Sequence, residues 1–291
     1  SARRAGARAP RPAAGAGAAR PRRRRAPPGA ARARVRVDGA EVDLVQVGQG
    51  PDVVFFHSLL TDRTAFDAVV PALARHRRLT LVNLPGFGGS SPAGPRIEDY
   101  AERMARLLAA LGPAPVDLVA MSFGGVVGLA LAARHGRLLR RLVVVDAAAA
   151  FPEPAKAPLR ALAERAEREG MAAVLDVAAR RMFTEAFIAA HPEVVEARCR
   201  VMLRTPPEHF ATACRALAAV DLRPHLAAIR TPTLVIVGAL DATTPPALAH
   251  ELAAGIPGAR LVVLPDCAHV PPIEQPTAFV AAIAPFLDIP A

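Results

Sequence analysis

Residues 118–127 read Leu118-Val119-Ala120-Met121-Ser122-Phe123-Gly124-Gly125-Val126-Val127, an apolar run that stops at a serine between small residues and restarts with helix-forming spacing. A serine on a tight strand-to-helix turn brings the backbone close to itself two residues before and two residues after it, where only Gly or Ala fits easily. Ala120 and Gly124 meet that demand, one methyl group away from the pattern G-x-S-x-G. Ser122 is therefore a candidate nucleophile. The structural alternative is a Ser-Gly-Gly helix start in which Ser122 is only an N-cap acceptor.

Outward from this stretch, short continuous apolar runs recur at Val53–Phe56, Leu79–Val82, Val116–Val119, Leu142–Val145, Leu234–Val237 and Leu261–Leu264. Unbroken rather than alternating runs predict strands covered on both faces. Helical patterns separate them at Thr64–His76, Ile97–Leu111, Phe123–His135, Pro245–Ala254 and Gln275–Leu287. Ahead of them, Arg34–Val37 and Glu41–Val47 flank Asp38-Gly39, a two-residue hairpin signal. The pattern predicts an α/β fold with a doubly wound, mostly parallel sheet. It breaks once, between Val145 and Thr233, where only helix-like stretches occur: Leu159–Glu169, Ala172–Arg181, Pro192–Leu203 and Pro207–Ala219. Residues 147–225 are thus expected to form an inserted helical cap over a core made of 32–146 and 226–291.

A serine hydroxyl needs a base, and the base needs an acid to hold its tautomer. Asp241 follows the run ending at Val237, and His269 follows the last run, so both fall at strand ends where side chains of a parallel sheet converge. Asp146 and Asp266 are rival acids, and Asp241 has a rival role near the helix entered through Thr243-Thr244-Pro245, which Thr244 is expected to cap. Two backbone donors are needed for a tetrahedral intermediate, and the positions expected to supply them are Phe123 and Leu59. His57 and Ser58 are read as shaping that loop, Pro85–Ser91 as a structural turn bordering the pocket, and Glu274 as an anchor for the last helix. Eight histidines without an HxxxH pair, and Cys199, Cys214 and Cys267 at unrelated spacings, predict no metal, cofactor or disulfide framework. Cys267 is expected to pack as a small buried side chain.

The net charge of +10 over 291 residues is unevenly placed. Residues 1–34 contain eleven arginines and no acid, and the remainder is close to neutral. Residues 1–31, almost entirely Arg, Ala, Pro and Gly, are read as a disordered tail. They contain no apolar segment typical of a secretory signal or membrane anchor, so the expectation is a cytoplasmic protein without a membrane partner. No nucleic acid is expected to bind the core, and any polyanion binding would be confined to the tail.

With serine, acid and base in that order and a cap between, the chain from about residue 32 resembles the α/β-hydrolase family. Within that family it resembles the 3-oxoadipate enol-lactonases. The likeness rests on Ser58-Leu59-Leu60-Thr61-Asp62, Met121–Gly125, Met182-Phe183-Thr184, Met202–Pro206, Asp221-Leu222-Arg223, Thr231–Gly238, Asp241–Pro246, Ile256–Ala259 and His269 with Glu274-Gln275-Pro276. The resemblance implies hydrolysis of a small carboxylic ester or lactone. His57, Leu60 and Met182 depart from that pattern at positions expected to line the pocket, where Asn, Gly and Trp are usual, and Asn83 replaces a structural Asp. A carboxylated substrate needs a cation, and Arg181 and Arg204 are the cap candidates. The same triad also fits a cofactor-free haloperoxidase or perhydrolase and a carbon–carbon bond hydrolase, and the same fold fits a non-catalytic ligand-binding homologue.

Overall fold

The computed structural model describes residues 30–112 and 114–290. Most of the Arg/Ala/Pro-rich tail, residues 1–29, lies outside the described residues. Eight strands form one sheet: β1 (Ala31–Val37), β2 (Ala40–Val47), β3 (Asp52–Phe56), β4 (Arg78–Val82), β5 (Val116–Met121), β6 (Leu139–Val145), β7 (Thr233–Gly238) and β8 (Arg260–Leu264), in the order β1-β2-β4-β3-β5-β6-β7-β8. The pairings from β4 through β8 are parallel, and β2 joins β4 antiparallel. β1 and β2 form the expected hairpin. Val37 faces Ala40 across Asp38 (φ 47°) and Gly39 (φ 78°), the two left-handed residues of a type I′ turn. β1 starts at Ala31 rather than Arg34, because two arginines of the basic stretch are tied to acids on β2: Arg32 to Asp43 at 3.1 Å and Arg34 to Glu41 at 3.0 Å.

The helices are α1 (Val70–Leu73), α2 (Ile97–Leu111), α3 (Phe123–His135), α4 (Glu153–Glu169), α5 (Leu175–Met182), α6 (Glu185–Ala190), α7 (Pro192–Met202), α8 (Pro207–Ala219), α9 (Pro246–Gly255), α10 (Pro271–Glu274) and α11 (Pro276–Ile283). Two expected helices are shorter than their apolar spacing suggests. The Thr64–His76 stretch is a 3₁₀ turn over Arg63–Phe66 followed by α1, because Pro71 lacks the N–H that a continuous helix requires. The last helix ends at Ile283, just ahead of Pro285. α3 is buried on every side from Phe123 to Ala132, so it sits inside the fold rather than on it.

Two features of this topology make the site. The chain steps one way from β3 to β4 and the other way from β5 onward, so the winding reverses between the neighbours β3 and β5. The loops leaving those two strands diverge and open a crevice at their C-terminal ends, which is where ligands enter such sheets. The second feature is the insertion carrying α4–α8. Its two ends meet at a bridge between Ala150 and Asp221, with the Leu222 N–H on the Ala149 carbonyl at 2.8 Å. Among the described residues, no helix is long and apolar enough to cross a membrane.

Candidate active site

Ser122 is the hinge between β5 and α3, and its backbone lies at φ 53°, ψ −115°, a region that serine rarely occupies. The N-cap alternative fails on both of its requirements. The residue is not extended, and its side chain makes no capping hydrogen bond to α3. The turn is held from three sides: Ser122 N–H donates to Val145 O at 2.7 Å, Gly124 N–H to His57 O at 3.1 Å, and Val126 N–H to Ser122 O at 2.9 Å.

This closeness explains the small residues. A Cβ on Gly124 would lie 2.6 Å from His57 O and 2.7 Å from Phe56 O, both backbone atoms that cannot step aside. Gly124→Ala is expected to lower unfolding stability by about 3 kcal/mol, measured by denaturant titration, with the loss concentrated in the elbow. Ala120, the departure from G-x-S-x-G, is accommodated from the helix side. A Cβ on Gly128 would stand 3.0 Å from the Ala120 methyl, so the glycine missing from the strand reappears one turn into α3.

The three chemical residues meet at the C-terminal rim of the sheet. His269 Nε2 is 2.8 Å from Ser122 Oγ, and His269 Nδ1 is 2.7 Å from Asp241 Oδ2. All three side chains are nearly excluded from solvent. Asp241 Oδ1 accepts the N–H groups of Thr243 and Thr244, at 2.7 and 3.1 Å, and Oδ2 accepts the Thr244 hydroxyl at 2.7 Å. Thr244 therefore serves the carboxylate rather than capping α9, which begins at Pro246 instead. Burial works against ionisation of Asp241, but the His269 imidazole and the hydrogen bonds from His269 and Thr244 outweigh it. Its carboxyl is held below the usual range.

The rival acids stand elsewhere. Asp146, past β6, is fully buried and its Oδ1 accepts the Gly238 N–H at 2.9 Å. Burial, and then the neighbouring Asp241 charge, push its pKa well above the usual carboxylate range. Asp146, Asp241 and His269 offer donor atoms within 4.8 Å of one another, a spacing that Asp241 and His269 use for their own hydrogen bond. Asp266 is exposed, at positive φ.

A cavity between the core and the cap lies in front of Ser122 and His269. Its core-side wall includes Ser58, Leu59, Leu60, Thr243 and Thr244, and the cap contributes Phe151, Ala155, Leu159, Leu162, Arg181 and Leu217. Leu59 is thus beside the serine, and Phe123 is the first residue of α3, whose N–H has no carbonyl one turn back to bind. The Phe123 ring is committed to packing against Phe87 and Tyr100.

The cap candidates separate. Arg181 is half-buried in the cavity wall, and its guanidinium makes no ion pair with any described residue. Burial lowers its pKa from the ordinary arginine value, opposed by the nearby Asp241. Arg204 does not line the cavity: its side chain is 69% exposed and lies 3.7 Å from Asp62, at the turn after α7. Met182 does not line it either. Its side chain is fully buried, and its carbonyl accepts the His269 N–H at 3.1 Å, so it supports the histidine loop from the cap. His57 is likewise buried away from the cavity, which leaves Leu60 as the one departure from the enol-lactonase pattern that faces the pocket.

Two further expectations are corrected. The Pro85–Ser91 turn does not border the cavity. Phe87 packs edge-on against His57, and Gly86 O meets His209 of α8 at 3.1 Å. Glu274 does more than anchor a helix: its carboxylate accepts from Ala268 N at 2.7 Å, Thr184 N at 2.9 Å and Thr184 Oγ1 at 2.6 Å, tying the histidine loop to the start of α6. No local pattern announces such a link, because its partners are 90 residues apart. Cys267 is buried as expected.

Residues 51–276 match the family model described as alpha/beta hydrolase fold. The pimeloyl-[acyl-carrier protein] methyl ester esterase of Aeromonas hydrophila is 32% identical over 252 residues, 84% of this chain and 99% of that protein. The 3-oxoadipate enol-lactonase 2 of Acinetobacter baylyi is 32% identical over 235 residues, 80% and 87% of the two chains. Among solved structures, the enol-lactonase from Burkholderia xenovorans superposes with a TM-score of 0.83 at 34% identity, covering 88% of this chain and all of that one. A thermophilic esterase from Thermogutta terrifontis, solved with malate bound, gives 0.82 at 32% identity, covering 89% and 98%. With an elbow serine between β5 and α3, a mostly parallel eight-stranded sheet and esterases and lactonases as relatives, the chain belongs to the α/β-hydrolase fold family.

Proposed function

We propose that the protein hydrolyses a carboxylic ester or lactone through an acyl-enzyme on Ser122, and that its substrate is a small enol-lactone or ester carrying a carboxylate. The observation that carries the reading is the imidazole of His269, set between Ser122 Oγ at 2.8 Å and Asp241 Oδ2 at 2.7 Å. His269 Nε2 takes the serine proton as Ser122 Oγ attacks the carbonyl, and Asp241 keeps the other ring proton on Nδ1. The N–H groups of Phe123 and Leu59 face the oxygen on which charge develops. His269 then protonates the leaving oxygen, and water, deprotonated by the same imidazole, releases the acid.

The substrate class rests on Arg181. A half-buried guanidinium that makes no ion pair with any described residue, in a wall otherwise made largely of leucine, phenylalanine and alanine, suits a small ligand with one anionic end. The malate bound to the Thermogutta esterase is likewise a carboxylate. The test compares hydrolysis of an enol-lactone with a free carboxylate, its methyl ester and a neutral aryl acetate. Arg181→Ala is expected to raise KM for the carboxylated substrate by roughly 10- to 100-fold and to leave the neutral acetate unchanged. Failure of the wild-type protein to hydrolyse any of the three overturns the reaction. Equal effects of Arg181→Ala on all three overturn the substrate class.

A further inference from the structure

The wall of the cavity holds one polar group that the proposed reaction leaves unused. Ser58 is 1% exposed and lines the same space as Ser122 and His269, and among the described residues its Oγ has no hydrogen-bond partner. Burying a hydroxyl unpaired is unfavourable, so such a group is retained against a stability cost.

Its surroundings show that the hydroxyl is not needed to shape the loop. The Ser58 carbonyl accepts from His57 Nδ1 at 2.8 Å, from Thr61 N at 3.2 Å and from Thr61 Oγ1 at 3.1 Å. His57 Nε2 in turn accepts the Leu84 N–H at 3.0 Å, which requires a neutral ring with its proton on Nδ1. Burial keeps the ring in that form, pushing its pKa down to about 4. These contacts clamp the planar peptide unit between Ser58 and Leu59. Because C=O and N–H point oppositely in a trans amide, fixing the carbonyl also fixes the direction of the Leu59 N–H. Backbone and His57 hold the loop, so its shape does not depend on the side-chain hydroxyl.

We propose that the Ser58 hydroxyl is a catalytic hydrogen-bond donor, meeting the substrate carbonyl oxygen beside the Leu59 and Phe123 N–H groups as negative charge builds on it. The inference rests on the serine-hydrolase reading of Ser122. A donor of this kind gains most in the transition state, so its loss falls on kcat rather than KM.

The experiment measures kcat, KM and Tm on an aryl acetate for the wild type, Ser58→Ala, Ser58→Thr and Ser122→Ala, together with labelling by a neutral fluorophosphonate. In Ser58→Ala, kcat is expected to fall about tenfold or more with KM within about twofold. Its Tm is expected to hold or rise, since an unpaired buried hydroxyl has been removed. Ser58→Thr, which keeps a hydroxyl, should retain more of kcat, and phosphonylation should slow in Ser58→Ala. A Ser58→Ala kcat within about twofold of wild type overturns the inference. So does a kcat loss with a Tm fall of several degrees, or an equal loss in Ser58→Thr. If Ser122→Ala is inactive while Ser58→Ala is unimpaired, only this inference is lost. If Ser122→Ala stays active or the wild type is not labelled, the reading beneath it fails.

Discussion

Ser122→Ala is expected to lower turnover of a responsive ester by about five to six orders of magnitude, with little change in stability. The alanine keeps the elbow backbone and its three hydrogen bonds, which involve main-chain atoms only. What disappears is the oxygen 2.8 Å from His269 Nε2. Without it the imidazole has no alcohol to activate, and the residual rate is what binding and the backbone donors supply to water attack. Steady-state assays, with mass-spectrometric mapping of fluorophosphonate to residue 122 in the wild type, check the result. Wild-type turnover in the alanine variant would contradict the proposed chemistry at its root.

The second large effect is expected at Asp241, and it separates two carboxyls that the sequence alone leaves in competition. Asp241→Asn should reduce kcat by about four orders of magnitude. The new amide would donate to His269 Nδ1, so the ring proton would move to Nε2 and face the serine hydroxyl, where a base is needed. Asp146→Asn should leave kcat within about threefold, because Asp146 makes no hydrogen bond to His269 and its Oδ1 accepts from Gly238, while burial and then the Asp241 charge push its pKa up. An asparagine keeps an acceptor for that N–H and offers its amide protons toward Asp241. Measuring kcat for both variants at pH 7–8 decides the matter. A collapse in Asp146→Asn with an active Asp241→Asn would exchange the two roles.

Much of the architecture was legible because its determinants are local. The unbroken apolar runs mark strands covered on both faces, and Asp38-Gly39 specifies a turn that needs two left-handed residues. The small residues around Ser122 mark a backbone packed against itself. Where reading failed, a short-range rule competed: Pro71 split an expected helix, and the Thr244 hydroxyl donates to Asp241 instead of accepting from the N–H groups of a helix start. Arg181 and Arg204 look alike in sequence, and nothing nearby says which one will meet the cavity.

The sequence by itself determined the alternation of strand and helix, the serine elbow and the strand-end placement of an aspartate and a histidine, because each depends on residues within a few positions of one another. Only the tertiary structure decided which aspartate faces the imidazole, which arginine enters the pocket, how Glu274 bridges cap and core, and which buried hydroxyl lacks a partner. Those outcomes depend on groups 28 to 147 residues apart in the chain, brought within hydrogen-bond reach by sheet order and cap packing, and no local pattern encodes such distances.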